Sequence, residues 1–361
     1  MKIVTIVGAR PQFIKCASLS RELRKGATEI LVHTGQHYDD PMSDIFFREL
    51  EIPSPNYNLG VGSGSHGSQT GRMLEAMEKI LQKEKPDYVV VYGDTNSTLA
   101  GALAASKLRI PIAHVEAGLR SFNKKMSEEI NRILTDHVST LLLCPTQASV
   151  QNLEREAITE GVHRVGDIMI DAAHHYGQKA AASSRILERL GLKPRAYALA
   201  TIHRAENTDD LERFYSIFSA LEKIARETMP MVIPLHPRSL KQMRSCPMNP
   251  EYLQVVDPVS YLDMLQLEKN AKVILTDSGG VQREACVFQV PCITLREETE
   301  WIETVEAGWN ILAGTRTENI INIFRQTKRG SRLPDGYGNE KGDVASKITT
   351  LLTGVLPVML V

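Results

Sequence analysis

Several classes of protein are excluded by what this sequence lacks. Its five cysteines, Cys16, Cys144, Cys246, Cys286 and Cys292, are odd in number and show no CxxC spacing. A disulfide framework or a cysteine-ligated zinc site is therefore not expected, whereas buried, reduced thiols in the cytosol are. No charge sign dominates. The 42 basic side chains face 43 acidic ones, for a net charge of −1, so nothing draws the chain generally to nucleic acid or to a membrane surface. No apolar run reaches the length of about 18 residues that a spanning helix needs. The opening MKIVTIVGARPQ is too short in apolar core for a signal peptide and reads as a first strand. The terminal GVLPVMLV is suited to packing on a neighbour rather than to anchoring in lipid. A GxGxxG fingerprint, a short-period repeat and low-complexity tracts are missing too.

What is present is an alternation of strands and helices. Apolar, β-rich segments fall at 3–8, 29–34, 88–92, 111–115, 141–144 and 163–166. Amphipathic or small-residue helical stretches lie between them, the first over 13–25. The run Ala180-Ala181-Ala182-Ser183-Ser184 through Lys193-Pro194 reads as a transition. The alternation then restarts with strands at 197–202, 231–235, 253–256 and 272–275 and a helix over 211–227. With 361 residues, about two domains are expected. The pattern predicts an α/β protein of two Rossmann-like, doubly wound parallel-sheet domains, residues 1–170 and 171–342, with a cleft between them.

Polar residues collect at the predicted strand ends, where open α/β sheets bind ligands. In the first half Glu116 directly follows the strand 111–115. Asp94 lies just beyond the strand 88–92, and Glu128-Glu129 open a helix. Clustered carboxylates push each other's pKa values apart, so that one can serve as acid and another as base. Plainer readings exist. Asp94 could cap the next helix, and Ser127 could cap a helix whose first turn favours acids. Arg10 and Lys15 are a pair of cations for an anionic ligand, or two solvated charges.

In the second half, His203-Arg204 and His236-Pro237-Arg238 place cations at two further strand ends. In TDSGGVQREA (276–285), Ser278 is suited to cap a helix, and Gly279 and Gly280 let a phosphate approach its N-terminal amides. Glu284 cannot help to hold phosphate but could accept hydroxyls, as acids do with ribose; the plainer alternative is a surface Glu on a Ser-capped helix. Together these residues suggest a diphosphate gripped from both sides. The pairs His33/His37 and His174/His175 are not spaced as metal ligands.

VGARPQFIK (7–15), GDTNSTLAG (93–101), HVEAGLRS (114–121), SEEINRILTD (127–136), IHRAEN (202–207) and TDSGGVQREA (276–285) resemble, in this order, the non-hydrolysing UDP-N-acetylglucosamine 2-epimerase family. The resemblance spans nearly the whole chain. It implies a GT-B-type fold whose C-terminal helix, about 343–361, packs back on the first domain. It implies a cytosolic homodimer with neither a nicotinamide cofactor nor an essential metal. The activity implied is inversion at C2 of a UDP-2-acetamido sugar, by elimination and re-addition of UDP, for surface polysaccharide synthesis. By matching motif, Asp94, Glu116 and Glu128 are the acid/base candidates. Arg10, His203, Ser278, Gly279 and Gly280 face the diphosphate, His203 also serving catalysis, and Glu284 faces the ribose. Lys15 and His236 match positions near the site. A GT-B glycosyltransferase and a hydrolysing 2-epimerase are the rival enzymes.

The chain departs from that family pattern in places. Ser127 stands where Pro is usual, Arg283 where many members have an acid, and Glu300-Trp301-Ile302-Glu303 where a Glu-Arg-Pro-Glu run is common. Positions 283 and 301, with SFN at 121–123, look more like the branch acting on UDP-2,3-diacetamido-2,3-dideoxyglucuronate. There an extra cation would suit the C6 carboxylate, unless Arg283 simply faces solvent. Tyr38-Asp39-Asp40-Pro41 differs from substrate-regulated members, so allostery is not carried over.

Overall fold

The computed structural model describes residues 1–36, 46–235, 239–240, 243, 251–334, 336–337 and 343–354. The chain divides into two compact units, the first containing Met1–Ala172 and the C-terminal helix Val344–Gly354, the second Ala173–Glu340.

The first unit is built on strands β1 (Lys2–Val7), β2 (Thr28–His33), β3 (Tyr57–Asn58), β4 (Tyr88–Tyr92), β5 (Ile112–Val115), β6 (Leu141–Cys144) and β7 (Val162–Arg164). They pair in parallel in the order β3-β2-β1-β4-β5-β6-β7. Every residue of β4 is buried, because helices cover both faces of such a sheet and its strands lose the polar alternation of a half-exposed one. Val4, Ile6, Val89 and Val91 pack there against Ala102 and Ala105 of the helix Asn96–Lys107 and Met77 of the helix His66–Glu84. The helix Val344–Gly354 packs on the helix Arg10–Leu23. Asp171 accepts its Ala345 N–H at 2.9 Å.

The second unit carries β8 (Ala198–Thr201), β9 (Met231–Pro234), β10 (Leu253–Val256), β11 (Val273–Thr276), β12 (Cys292–Thr294) and β13 (Asn310–Leu312). These are also parallel, in the order β10-β9-β8-β11-β12-β13. Its core joins Phe214, Phe218 and Leu221 of the helix Leu211–Glu227 to Ala198, Ile233 and Leu275 of the sheet. Both sheets therefore reverse strand order, one between β1 and β4, the other between β8 and β11. Such a switch point opens a crevice at the carboxyl ends of the strands.

Two local expectations are corrected. The first helix begins at Arg10 rather than Phe13. Pro11 is tolerated in a first turn, where its missing N–H has no partner to lose. The Gln12 amide oxygen there accepts the N–H groups of Gly8 at 2.8 Å and Ala9 at 3.1 Å. Ser127 does not cap its helix. Met126 occupies that position without a side-chain bond, and the Ser127 hydroxyl turns to Glu128 at 3.1 Å.

Candidate active site

In the first unit the switch point gathers the loops after β1, β4 and β5. Gly8 closes β1, and a Cβ there would stand 2.1 Å from both the Ser97 and Thr34 hydroxyls; glycine is what lets these loops meet. Lys15, on the helix that follows, is buried and ion-paired with Glu116, the two side chains being 6% and 4% exposed. Its ammonium lies 3.1 Å from where a Cβ on Gly93 would be. Glu116 holds φ at +72°, a left-handed conformation that costs a non-glycine residue about 1–2 kcal/mol. Its N–H and that of Ala117 both reach the Leu143 carbonyl, at 3.1 and 3.3 Å. Gly118 follows at φ +77°, where a Cβ would lie 2.3 Å from the Ser149 carbonyl oxygen.

Asp94 does not cap the helix Asn96–Lys107; Thr95 does, accepting the Thr98 N–H at 3.3 Å. The Asp94 carboxylate is half-buried and ion-paired with Arg132. Arg132 also reaches Glu129 at 2.8 Å, and the Asn131 amide donates to the Asp94 carbonyl at 2.9 Å.

The two acids of the Glu128-Glu129 pair diverge. Glu129 is buried and accepts the Ser121 N–H and hydroxyl and the Phe122 N–H, each at 2.9 Å. It ties down the loop after β5. Glu128 is half-buried, and among the described residues its hydrogen bond is the one from Ser127.

Beneath both acid-bearing turns lies a buried ionic network. His114, in the middle of β5, reaches the Gly93 carbonyl through Nε2 and Asp136 through Nδ1, each at 2.7 Å. The other Asp136 oxygen accepts the Gly118 N–H at 3.1 Å and Arg120 at 2.7 Å. Arg120 in turn makes a bidentate pair with Glu156 at 2.8 and 2.7 Å. Burial pushes the Asp136 carboxyl up, but the His114 ring and the Arg120 guanidinium outweigh it and hold it below its ordinary value.

In the second unit the turns after β8 and β11 meet at Asp277. This fully buried carboxylate accepts the His203 N–H at 3.1 Å, the Arg204 N–H at 3.1 Å and the Asn207 amide at 3.1 Å. The exposed His203 ring lies against it, Nδ1 to Oδ1 at 3.0 Å. Burial again works upward, yet His203 and these hydrogen bonds prevail and lower the Asp277 pKa. Arg204 Nε donates to the Asp277 carbonyl at 3.0 Å.

The helix Gly279–Val287 starts beside these groups, capped by Ser278, whose hydroxyl accepts the Val281 N–H at 3.4 Å. Five residues on from Gly279, Glu284 is not a surface residue: it is buried, and the buried Tyr261 hydroxyl donates to it at 2.7 Å. Arg283 is likewise buried, its guanidinium carbon 3.9 Å from the centre of the Trp301 ring.

The first unit brings Lys15, Asp94 and Glu116 to one switch point. Lys15 is not a solvated charge but the partner of Glu116. Arg10, half-exposed at the start of its helix, has its guanidinium 5.6 Å from the Phe46 ring centre. The second unit brings His203, Ser278, Gly279 and Gly280 to the other switch point. His236 lies outside the described residues, as do His37, residues 38–41 and Cys246. The reading missed His114, Asn131, Arg132, Asp136 and Asp277. A signal was available for one of them: His114 interrupts an apolar strand. The helix Ser127–Val138 buries Asn131, Arg132 and Asp136 while leaving Ile130 and Leu134 exposed, the reverse of what apolar periodicity suggests. Among the described residues, no group of three or more His, Cys, Asp or Glu side chains could hold a metal ion.

Known proteins resemble this chain throughout. The profile of a family described as UDP-N-acetylglucosamine 2-epimerase matches residues 21–353. A Methanococcus maripaludis protein named UDP-N-acetylglucosamine 2-epimerase homolog is 55% identical over 98% of this chain and 99% of its own. The UDP-2,3-diacetamido-2,3-dideoxy-D-glucuronate 2-epimerase of Pseudomonas aeruginosa is 48% identical, with the same coverage. The crystal structure of Methanocaldococcus jannaschii UDP-GlcNAc 2-epimerase, in complex with UDP-GlcNAc and UDP, superposes with a TM-score of 0.91 at 45% identity, covering 98% of this chain and 100% of that one. The chain belongs to the UDP-N-acetylglucosamine 2-epimerase family, and its two parallel-sheet units are of the GT-B-like class.

Proposed function

We propose, from that family membership, that the protein is a sugar-nucleotide 2-epimerase that inverts C2 of a UDP-2-acetamido sugar. A carboxylate removes the C2 proton as the bond from C1 to the UDP oxygen breaks. The C–H electron pair becomes the C1–C2 double bond, and the C–O pair leaves with UDP. UDP then returns to C1 while a proton is delivered to the opposite face of C2. The observation that carries this reading is Glu116: a buried acid in a strained left-handed conformation, at a strand end, against a buried lysine. Strain of this kind is kept where the surrounding structure over-determines it, and active sites are where it collects.

In this reading Glu116, Asp94 and Glu128 share the acid and base roles. Lys15 holds Glu116, and Arg132 holds Asp94. Arg10, His203 and the amides after Ser278 at Gly279 and Gly280 receive the diphosphate, whose developing charge on departure they stabilise. His236 belongs to the same set by motif. Glu284, kept in place by Tyr261, accepts the ribose hydroxyls. The relatives support two substrates, UDP-N-acetylglucosamine and UDP-2,3-diacetamido-2,3-dideoxyglucuronate. The resemblance supports a homodimer. For a cytosolic setting, the support is the burial of the unpaired Cys16, Cys144, Cys286 and Cys292.

The test is to incubate the protein with each UDP-2-acetamido sugar in D2O and follow C2 by NMR. Deuterium at C2 together with the epimeric UDP-sugar is expected. No incorporation with any substrate offered would sink the epimerase reading, and accumulation of UDP with free sugar would replace it by a hydrolase.

A further inference from the structure

Arg283 and Trp301, two of the positions at which this chain departs from its family's usual pattern, touch each other. The Arg283 guanidinium carbon is 3.9 Å from the indole centre, well within the reach of a cation–π contact. Both residues are buried, at 4% and 3% exposure, so this contact is largely shielded from water. The same guanidinium arm turns back on its own helix, Nε donating to the Gly279 carbonyl at 3.2 Å. Trp301 approaches the same residue. A Cβ on Gly279 would lie 3.1 Å from the indole Nε1 and 3.6 Å from Cδ1. Gly279 is thus flanked by the indole and bonded by the arginine that stacks on it. The segment carrying Trp301 is itself anchored to the helix one residue earlier: Thr299 donates its hydroxyl to Gln282 at 2.6 Å and accepts the Trp301 N–H at 3.2 Å.

We propose that Arg283 and Trp301 form one positioning unit that holds the turn at 278–280 in its anion-receiving shape, so that Arg283 supports UDP binding without reading the sugar. The inference rests on the assignment of that turn to the UDP diphosphate. It reverses the expectation that an additional cation at position 283 pairs with a C6 carboxylate.

The experiment is calorimetric titration of UDP alone into wild type, Arg283→Ala, Arg283→Lys, Arg283→Glu, Trp301→Phe and the double exchange Arg283→Glu/Trp301→Arg. Melting temperatures are recorded alongside, with turnover of the neutral and the uronate UDP-sugar. Arg283→Ala is expected to raise the UDP dissociation constant about three- to tenfold, the range a shielded cation–π contact supports, and to slow both sugars alike. Arg283→Lys and Trp301→Phe keep a cation and an aromatic face and should recover most of the affinity. The double exchange should bind UDP more tightly than Arg283→Glu.

Unchanged UDP affinity in a folded Arg283→Ala, whether or not its melting temperature falls, would overturn the proposal. So would a loss confined to the uronate substrate. If wild type itself binds no UDP, it is the assignment of the turn that fails, and this inference with it. If wild type binds and Arg283→Ala binds equally well, the inference fails alone.

Discussion

His114 and Asp136 face each other fully buried, Nδ1 to Oδ1 at 2.7 Å, and between them they hold both acid-bearing turns of the first unit. His114 takes the Gly93 carbonyl, next to Asp94, and Asp136 takes the Gly118 N–H, two residues after Glu116. The pair sets where two candidate catalytic carboxylates stand without touching either.

Asp136→Asn should therefore cost stability and activity together. It removes the charge that Arg120 and His114 face inside the protein, and breaking a buried pair in this way costs about 3–5 kcal/mol. Denaturant unfolding should report a loss of that order, and deuterium exchange at C2 should slow in the protein that remains folded. Exchange at the wild-type rate in folded variant would mean that the network carries stability alone.

The Lys15–Glu116 pair calls for a double-mutant cycle. Lys15→Met takes the ammonium partner from a buried carboxylate and should destabilise by about 3 kcal/mol. Adding Glu116→Gln removes the buried charge, so the double variant should regain part of that loss. C2 exchange should be lost in Glu116→Gln and stay lost in the double variant. Additive stabilities would show that the two side chains are not energetically coupled.

Asp277→Asn tests the turn after β8. The carboxylate orients two backbone N–H groups and the His203 ring. Removing its charge should weaken UDP binding by about tenfold, or about 1.4 kcal/mol, measured by titration with UDP. His203→Ala should have a comparable effect, and little should be added when both are changed. Independent, fully additive losses would place His203 and Asp277 in separate roles.

Asp171 predicts a pH dependence of stability. Burial, together with the nearby Asp343 and Asp167, raises its pKa to about 6, against the opposing hydrogen bond from Ala345. A carboxyl with a raised folded-state pKa is bound to its proton more tightly in the native protein. Its contribution is complete below the unfolded value near 4 and is lost as pH rises toward 6. Wild type should therefore lose on the order of 2 kcal/mol across that interval relative to Asp171→Asn, which has no such proton to lose. Urea midpoints at pH 4, 5, 6 and 7 would measure it. Parallel curves for the two proteins would refute the raised pKa.

Much of this protein was legible in its order of residues. Apolar runs the length of strands alternate with helical stretches, and that periodicity is a local property of the chain. It is enough to predict two parallel, doubly wound sheets and to put Asp94, Glu116, His203 and Ser278 at strand ends. Motif order then identified the family. Partnership was decided only by tertiary structure. Lys15 and Glu116 are 101 residues apart in sequence, and nothing local distinguishes a lysine that will be buried against a glutamate from one that meets water. Ser127 and Asp94 looked like helix caps by residue type, but the cap positions fell to Met126 and Thr95; the Ser127 hydroxyl turns to its chain neighbour Glu128, whereas Asp94 is drawn to Arg132, a partner that only folding supplied. Glu284 and Arg283 read equally well as surface charges; Tyr261 and Trp301 bury them. Helix and strand are set by neighbours along the chain, whereas the state of a charge is set by what the fold brings within a few ångströms of it.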